Sequence, residues 1–293
     1  MAPALAALTP FAVRGAPVTV LGLALCLAGC AADSSRPNIT SVERDPVERV
    51  DPTASNGGSA SPPQAQPADR AAEVKAPPIG SVARVGGDLN ARAEWTGGAF
   101  RSGSSHIDTP LPEGYPPPTP PGAIEIKTYP VVRRAEVSGR VWPELGMNLA
   151  FFPLFNHIKR RGIEMTSPVE MDYRGLSVSD PQGAAGDWSM AFLYRRVEQG
   201  PLGRDERDGR VSVIDSQPMT VVSVGLRGGY GLARTREGLA ILGEWLDANP
   251  EWTPAGPVRV LHYNGPDTRE RDRWQEVQVP VRPTHEPPVA ADR

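Results

Sequence analysis

The stretch that decides the fold is LFNHIKRRGIEMTSPV, residues 154–169. With the residues just before it, it places five large apolar side chains at the three- and four-residue spacing of one helical face: Met147, Phe151, Leu154, Phe155 and Ile158. This spacing predicts an amphipathic helix that ends at Gly162 and leads into a strand through the MTSPV turn. Pro153 predicts that the helix is bent or starts late, because proline breaks a backbone hydrogen bond.

His157 and Arg161 are the polar residues of this helix that bear on function. At about 100° per residue, His157 lies some 80° from the centre of the apolar face, which favours a position at the edge of the core and at the mouth of a groove. Arg161 points back towards the apolar face, whereas Lys159 and Arg160 do not. An apolar groove beside a guanidinium suits an amphiphile that carries carboxylates.

The elements around the helix follow one order twice. Residues 124–137 predict a strand, and two strands, within 165–173 and 188–195, follow the helix. In the second half the same order is given by an extended segment at 211–226 with a break at Pro218, a helix at 235–250, and strands at 258–263 and 273–281. We therefore predict an α+β fold in which two βαββ repeats of an antiparallel sheet carry two helices.

Composition divides the chain into four segments. Residues 31–121 contain 15 prolines and three aromatic residues, which predicts that segment 30–121 is a disordered tether. Residues 122–281 contain 14 aromatic residues and form the predicted domain, and residues 282–293 form a predicted disordered tail. Residues 1–29 resemble a signal peptide, because a short apolar run ends in LAGC, which is similar to the lipobox of bacterial lipoproteins and predicts lipidation of Cys30.

Few other motifs carry chemistry. The four histidines, at positions 106, 157, 262 and 285, do not have metal-ligand spacing. No G-x-S-x-G sequence is present, and removal of the signal peptide would leave only the lipidated cysteine. GLRGGYG, residues 225–231, departs from the phosphate-loop patterns and is interpreted as a glycine turn. The formal charge of -3 gives no indication of a nucleic-acid partner.

Residues 122–281 resemble the SOUL haem-binding family. The resemblance rests on EIKTYPVVRRAEV, on LFNHIKRRGIEMTSPVEM, on FLYR, on VSVIDSQPMTVVSVGLRGGYG and on LHYNGP before a last strand with a tryptophan. It implies a distorted antiparallel β-barrel of two βαββ repeats that binds haem or another porphyrin beside the first helix. The family's ligating histidine is replaced here by Thr128, so the resemblance implies apolar and basic contacts to the ligand, with His157 as the alternative axial ligand.

From these features we expect a monomeric, non-enzymatic tetrapyrrole-binding lipoprotein of the bacterial cell envelope. Its domain would lie in the periplasm, held to the membrane through Cys30, with no nucleic-acid partner. The expected site residues are Phe151, Leu154, Phe155, His157, Ile158, Arg161 and Met165, with no protein metal site. The alternatives are a small-molecule effector-type module, a ligand-free structural envelope protein and, as an enzyme, a hydrolase.

Overall fold

The computed structural model describes residues 78–140 and 143–285. The predicted signal peptide, Cys30 and residues 286–293 lie outside the described residues. Two α-helices are present in the described part of the chain, α1 (Pro143–Arg161) and α2 (Leu232–Ala248). The strands there are β1 (Val82–Gly87), β2 (Glu94–Thr96), β3 (Ala99–Ser102), β4 (Ser105–Ile107), β5 (Ala123–Tyr129), β6 (Arg133–Gly139), β7 (Val169–Tyr173), β8 (Trp188–Leu193), β9 (Gly203–Arg204), β10 (Ser212–Asp215), β11 (Met219–Arg227), β12 (Trp252–Pro254), β13 (Val258–His262) and β14 (Trp274–Pro283).

The strands form one large antiparallel sheet and one small one, so the predicted α+β class is confirmed. The large sheet has the order β1-β5-β11-β14-β13-β7-β8-β6-β10-β9, with β12 beside β14. Strands β2, β3 and β4 form the small sheet. The expected barrel is wrong: among the described strands the large sheet stays open, because β1 takes the outer edge of β5 and the two-residue β9 takes that of β10.

Two segments that were predicted as single extended elements are each two strands. Residues 124–137 form β5 and β6, which separate at Pro130 and lie far apart in the sheet. Residues 211–226 form β10 and β11, and the predicted break at Pro218 is confirmed. Proline cannot donate to a strand ladder, which explains why each segment changes direction there.

One face of the large sheet carries both helices and the main hydrophobic core. Leu239, Leu242 and Leu246 of α2 are buried, as their spacing predicts. They share this core with alternate residues of β14, including Val277 and Val279. The helical spacing of α2 and the strand alternation of β14 could be recognised in the sequence because each element buries one side in this core. Helix α1 continues through Pro153 and ends at Arg161.

The other face of the sheet is covered by residues 107–121, which the sequence analysis assigned to the tether. The Tyr115 ring packs edge-on against Tyr129 with centroids 4.6 Å apart, and the Thr119 amide donates to Glu276 at 2.7 Å. Gly225 permits the close approach of this segment, since a Cβ there would lie 2.3 Å from the Pro120 carbonyl oxygen.

The predicted boundary at residue 122 is therefore too late. Strand β1 pairs along β5, and the segment after it shields buried polar groups, so residues 78–121 belong to the folded unit. Strand β14 likewise continues to Pro283, past the predicted end at residue 281. Neither helix in the described part of the chain has the length and apolar character needed to cross a membrane.

Candidate ligand-binding site

A cavity of about 540 Å³ opens beside α1 on the helix-bearing face of the sheet. It lies where β13 ends, and loops that connect distant strands close around it. Its apolar wall is formed by Phe151, Phe152, Met165, Val169, Met190 and Tyr230. Its polar wall includes His106, Asp108, His262, Asn264, Asp267 and Arg273. This volume and this mixture of aromatic and polar groups are typical of small-molecule sites.

His262 continues the core-facing alternation of β13 after Val258 and Val260, and its side chain is almost fully buried. The His262 ring stacks on Tyr230, with centroids 4.0 Å apart and planes inclined by 15°. Nε2 of His262 has no hydrogen-bond partner among the described residues. Burial, together with the positive charge of Arg273, lowers the pKa of His262 to about 4, so the imidazole is neutral at pH 7.

Tyr230 is itself fixed in place. Its hydroxyl accepts a hydrogen bond from the Asn264 amide at 2.8 Å and lies 3.1 Å from the Asn264 carbonyl oxygen. The Arg273 guanidinium lies 5.4 Å from the centre of the Tyr230 ring. Asn264 also donates to the His106 carbonyl at 2.7 Å, which ties the small sheet to the rim of the cavity. The cavity wall is thus pre-formed by mutual hydrogen bonds and ring contacts.

Two of the predicted site residues, Phe151 and Met165, line this cavity. A third, Phe155, lies next to it: its ring stacks on Phe151 with centroids 5.9 Å apart and planes inclined by 12°. Leu154 and Ile158 belong to the main core and are not part of the cavity wall. The predicted wall of the groove is therefore shared between the cavity and the core beneath it.

His157 lies in the interior rather than at the mouth of a groove. Its Nδ1 lies 2.5 Å from Asp205 Oδ2, and its Nε2 lies 2.7 Å from the Tyr194 hydroxyl. Burial lowers the pKa of His157, although Asp205 acts in the opposite direction. A neutral ring would donate from Nδ1 to the carboxylate and accept at Nε2 from the tyrosine. Because both nitrogens are engaged, an axial-ligand role for His157 does not fit this arrangement.

Arg161, the predicted partner for ligand carboxylates, also faces Asp205 rather than the cavity. Its Nε lies 3.6 Å from Asp205 Oδ2, and Arg160 Nη2 lies 2.7 Å from Oδ1. Burial raises the pKa of Asp205, but the Arg207 amide, His157, the Asp208 amide and the charge of Arg160 outweigh it and hold the pKa well below its ordinary value. The basic end of α1 therefore anchors the loop that carries Asp205.

A second polar cluster lies on the opposite face of the sheet, beneath residues 107–121. Glu276 accepts from Lys127 at 3.0 Å, from Ser223 at 2.6 Å and from Tyr263 at 2.7 Å. Arg259 donates to Glu170 at 2.7 Å, and Arg134 pairs with the same carboxylate. Burial raises the pKa of Glu170, but Arg259 and Arg134 outweigh it, so the pKa lies below its ordinary value.

Sequence reasoning missed the polar half of the cavity. The sequence analysis excluded His262 only as a metal ligand and gave it no other role, although its place in the core-facing alternation of β13 could have indicated that it is buried. Tyr230 lies in the glycine-rich turn at residues 225–231, and no local pattern indicates that its ring meets β13. His106 belongs to β4, a strand that the sequence analysis did not predict. Within residues 78–140 and 143–285, no three His, Cys, Asp or Glu side chains are grouped so as to hold a metal ion.

Comparison with known proteins identifies no family. No protein-family model matches the sequence, and no curated protein matches it. Among solved structures, the EcmrR C-terminal domain is 14% identical over 55% of this chain and 98% of its own, with a TM-score of 0.41. A hydrolase from Listeria innocua is 13% identical over 56% of this chain and 93% of its own, also with a TM-score of 0.41.

EcmrR in its DNA complex gives a TM-score of 0.45 at 14% identity, and the match spans 55% of this chain and 57% of the EcmrR chain. These matches concern the arrangement of strands and helices. The class that the fold and the cavity define is an α+β domain with a ligand-sized cavity.

Proposed function

We propose that this protein binds haem or another tetrapyrrole and is not an enzyme. The observation that carries the proposal is the cavity beside α1, about 540 Å³ in volume, with Phe151, Phe152, Met165, Met190 and Tyr230 in its walls. A porphyrin is a flat and mostly apolar plate. Burial of apolar surface at about 25 cal/mol per Å² supplies the affinity for such a ligand, and aromatic and thioether side chains adapt well to its faces.

Arg273 replaces Arg161 in this proposal as the partner of the ligand's carboxylates. It lines the cavity, and its side chain is held by the Thr268 carbonyl at 3.0 Å and by the ring of Tyr230. A guanidinium with spare N–H groups at the rim can donate charge-assisted hydrogen bonds to a propionate. Arg273 would hold the carboxylates of the ligand at the rim of the cavity, and the apolar wall would contact its ring.

The strand order supports a two-repeat domain of the SOUL kind. The elements β6-α1-β7-β8 and β11-α2-β13-β14 each follow a strand-helix-strand-strand course, with the short β12 added in the second. In the sheet the two units occupy the positions β7-β8-β6 and β13-β14-β11, and they meet where β7 pairs with β13. Corresponding strands are thus equally far from that junction. In this proposal the repeats form an open sheet.

We further propose that the protein is a monomeric lipoprotein of the bacterial cell envelope, with its domain in the periplasm and no nucleic-acid partner. The support is the LAGC sequence before a proline-rich segment. Cys30 would carry the lipid. Several acyl chains are needed for stable attachment, because one chain binds a membrane only marginally.

Titration of the full chain with haemin, followed in the Soret region, tests the binding proposal. We expect a saturable change. Phe152→Asp should abolish it, because Phe152 lines the cavity and a carboxylate there opposes binding of an apolar ligand. Phe152 is 65% exposed, so the substitution should have little effect on the stability of the fold. Leu149→Asp is the matched control, since Leu149 is 60% exposed on the same helix and lies outside the cavity wall.

If the wild-type protein gives no saturable change, the haem proposal fails. An effector-type module or a ligand-free envelope protein would then be the better description. Equal loss in Phe152→Asp and Leu149→Asp would show that the cavity is not where the ligand lies.

A further inference from the structure

The outer side of α1 carries a stripe of large apolar side chains that the fold leaves uncovered. Leu149 is 60% exposed, Phe152 is 65% exposed and Phe155 is 39% exposed. A step of three residues turns the side chain by only about 60° around a helix, so the three form one continuous surface. Among the described elements, α1 alone carries three exposed large hydrophobic residues. Single exposed hydrophobic residues are ordinary, whereas a contiguous group of them marks a contact surface.

The packing of α1 does not require this second apolar side. The inner side of the helix already supplies Leu154 and Ile158 to the main core, above β6 and β8. The stripe is also fixed in place at one end, because Phe155 stacks on Phe151 and Phe151 meets the Phe192 ring of β8 at 5.2 Å. A surface helix of a globular protein normally turns polar residues to the outside. The stripe therefore needs a partner outside the domain.

Basic residues lie at the C-terminal end of the stripe. Lys159 projects between the directions of Phe152 and Phe155, at about 100° per residue. It is exposed and has no ion-pair partner in the part of the chain that the structure describes. The two arginines that follow it share one carboxylate, that of Asp205, so this end of the helix keeps a net positive charge. Apolar side chains beside basic ones are typical of helices that lie on membranes with anionic lipids.

The stripe also borders the mouth of the cavity. The Phe152 side chain belongs to both, since it lines the cavity and is exposed to solvent. The Phe155 ring lies beside the cavity through its contact with Phe151, which lines it as well. Whatever covers the stripe therefore lies next to the entrance of the ligand site.

A membrane can reach this side of the domain. If Cys30 carries a lipid, residues 31–77 separate the anchor from the first described residue, and they span at most roughly 160 Å when extended. The radius of gyration of a domain of this size is only about 17 Å. Each face of the domain is thus within reach of the bilayer. The attachment also raises the local concentration of lipid, so a weak contact is sufficient for docking.

We propose that the outer side of α1 docks on a bilayer surface that contains anionic lipids. Leu149, Phe152 and Phe155 would insert at the boundary of headgroups and acyl chains, and Lys159 would contact lipid phosphates. The inference rests on the proposed function as a tetrapyrrole-binding lipoprotein and adds a membrane contact besides the lipid on Cys30. It also implies that the cavity opens next to the bilayer, so an apolar plate can pass between the acyl region and the cavity.

Sedimentation with vesicles tests this contact. Lipid on Cys30 would hold the chain on vesicles regardless of α1, so the test uses residues 31–293, which include the whole described part of the chain. The wild-type sequence should bind vesicles of phosphatidylcholine mixed with phosphatidylglycerol. Leu149→Asp should weaken binding by roughly tenfold or more, because a charge replaces an inserted apolar side chain. Lys159→Gln should weaken binding to mixed vesicles by about fivefold and leave binding to pure phosphatidylcholine unchanged.

Leu89→Asp is the matched control. Leu89 is 62% exposed but follows β1, at the end of the sheet away from β6 and β8, so this variant should bind vesicles as wild type does. Equal losses in Leu89→Asp and Leu149→Asp, or a wild-type sequence that does not bind mixed vesicles, would overturn the inference.

The haemin titration in solution separates this inference from the binding function. Leu149→Asp should keep the wild-type Soret change, which also shows that the variant is folded. A wild-type sequence that gives the Soret change but does not bind vesicles retains the ligand site and loses the docking surface. One that binds vesicles through Leu149 and gives no Soret change retains the docking surface and loses the proposed ligand.

Discussion

Lys127 of β5 and Glu276 of β14 form an ion pair of 3.0 Å across the intervening strand β11, and neither side chain is exposed to solvent. Burial raises the pKa of Glu276, but Lys127, Ser223 and Tyr263 outweigh it and hold the pKa below its ordinary value. The carboxylate is therefore ionised at neutral pH inside the protein. Such a pair is tolerable only while both partners are present.

Lys127→Met should destabilise the protein by about 3 kcal/mol or more, because it leaves the Glu276 charge buried without its cation. The double variant Lys127→Met/Glu276→Gln should recover a large part of this loss, since the uncompensated charge is removed. Urea denaturation measures both. The control is Arg234→Met, which breaks a partly exposed pair with Glu237 and should cost less than about 1 kcal/mol. Similar losses at the two sites would contradict a buried ion pair.

His262 predicts a pH dependence of stability. Burial lowers the pKa of His262 from 6.5 to about 4, so the unfolded chain binds a proton over this range and the folded one does not. The free energy of unfolding should therefore fall as the pH drops from 6.5 towards 4. Because one pKa unit is worth about 1.4 kcal/mol, the loss approaches about 3 kcal/mol.

The contribution of His262 is the difference between the pH dependence of unfolding free energy in wild type and that in His262→Leu. Burial raises the pKa of Asp172 from 3.8 to about 6, and this group acts in the opposite direction, since folding then favours the protonated form. Both proteins share that contribution, so it cancels. Parallel curves between pH 6.5 and 4 would show that His262 is not a buried neutral imidazole.

His157→Ala should lower stability by about 2–4 kcal/mol while it leaves the haemin spectrum unchanged. The change removes a buried ring and leaves Asp205 and Tyr194 without their shared partner, and an unpaired buried polar group is costly. Thermal denaturation and the Soret titration are measured on the same sample. A change in iron spin state without loss of stability would instead return His157 to the role of an axial ligand.

The domain boundary can be tested with two fragments. Residues 78–285 should unfold cooperatively, whereas residues 122–285 should be much less stable, because they lack β1 and the groups that cover Glu276. Limited proteolysis of the full chain should leave a protected fragment that begins before Val82. A stable fragment that begins near residue 122 would show that the covering segment contributes little.

Cys30→Ala should release the protein from membranes or block removal of the signal peptide. The reason is that lipid attachment requires the cysteine thiol, and the only other cysteine, Cys26, lies inside the predicted signal peptide. Fractionation and gel mobility measure both effects. Cys26→Ala is the control and should behave as wild type. A Cys30→Ala protein that fractionates with membranes unchanged would rule out the lipid anchor.

Local periodicity predicted the elements that bury one side in the main hydrophobic core. The leucines of α2 and the valines of β14 face one core, and each pattern contains the information needed to orient its element. Residues 78–121 have no such pattern. Their order comes from pairing with the edge of β5 and from contacts of Tyr115 and Thr119 with the opposite face of the sheet, which sequence spacing does not reveal.

The site divides in the same way. Phe151 and Met165 were predicted because they lie on or just beyond the apolar helix. The burial of His157 depends on Asp205, 48 residues further along the chain, and on Tyr194, 37 residues away. A helical projection gives the direction of a side chain but does not identify the distant residues that it contacts. Tyr230 and His262 meet for the same reason, through tertiary structure alone.

The position of β1 has a mechanical consequence. It is the end strand of the large sheet, antiparallel to β5, and its first residue, Val82, is paired with Lys127. A pull on the chain ahead of Pro78 therefore loads the ladder from one end and peels β1 away pair by pair, with the Arg84–Glu125 ion pair as an early point of resistance. The force then breaks the pairing of β1 with β5 at the outer edge of the sheet. Strand β13, which is separated from β1 by three strands, and helix α1 stay in place.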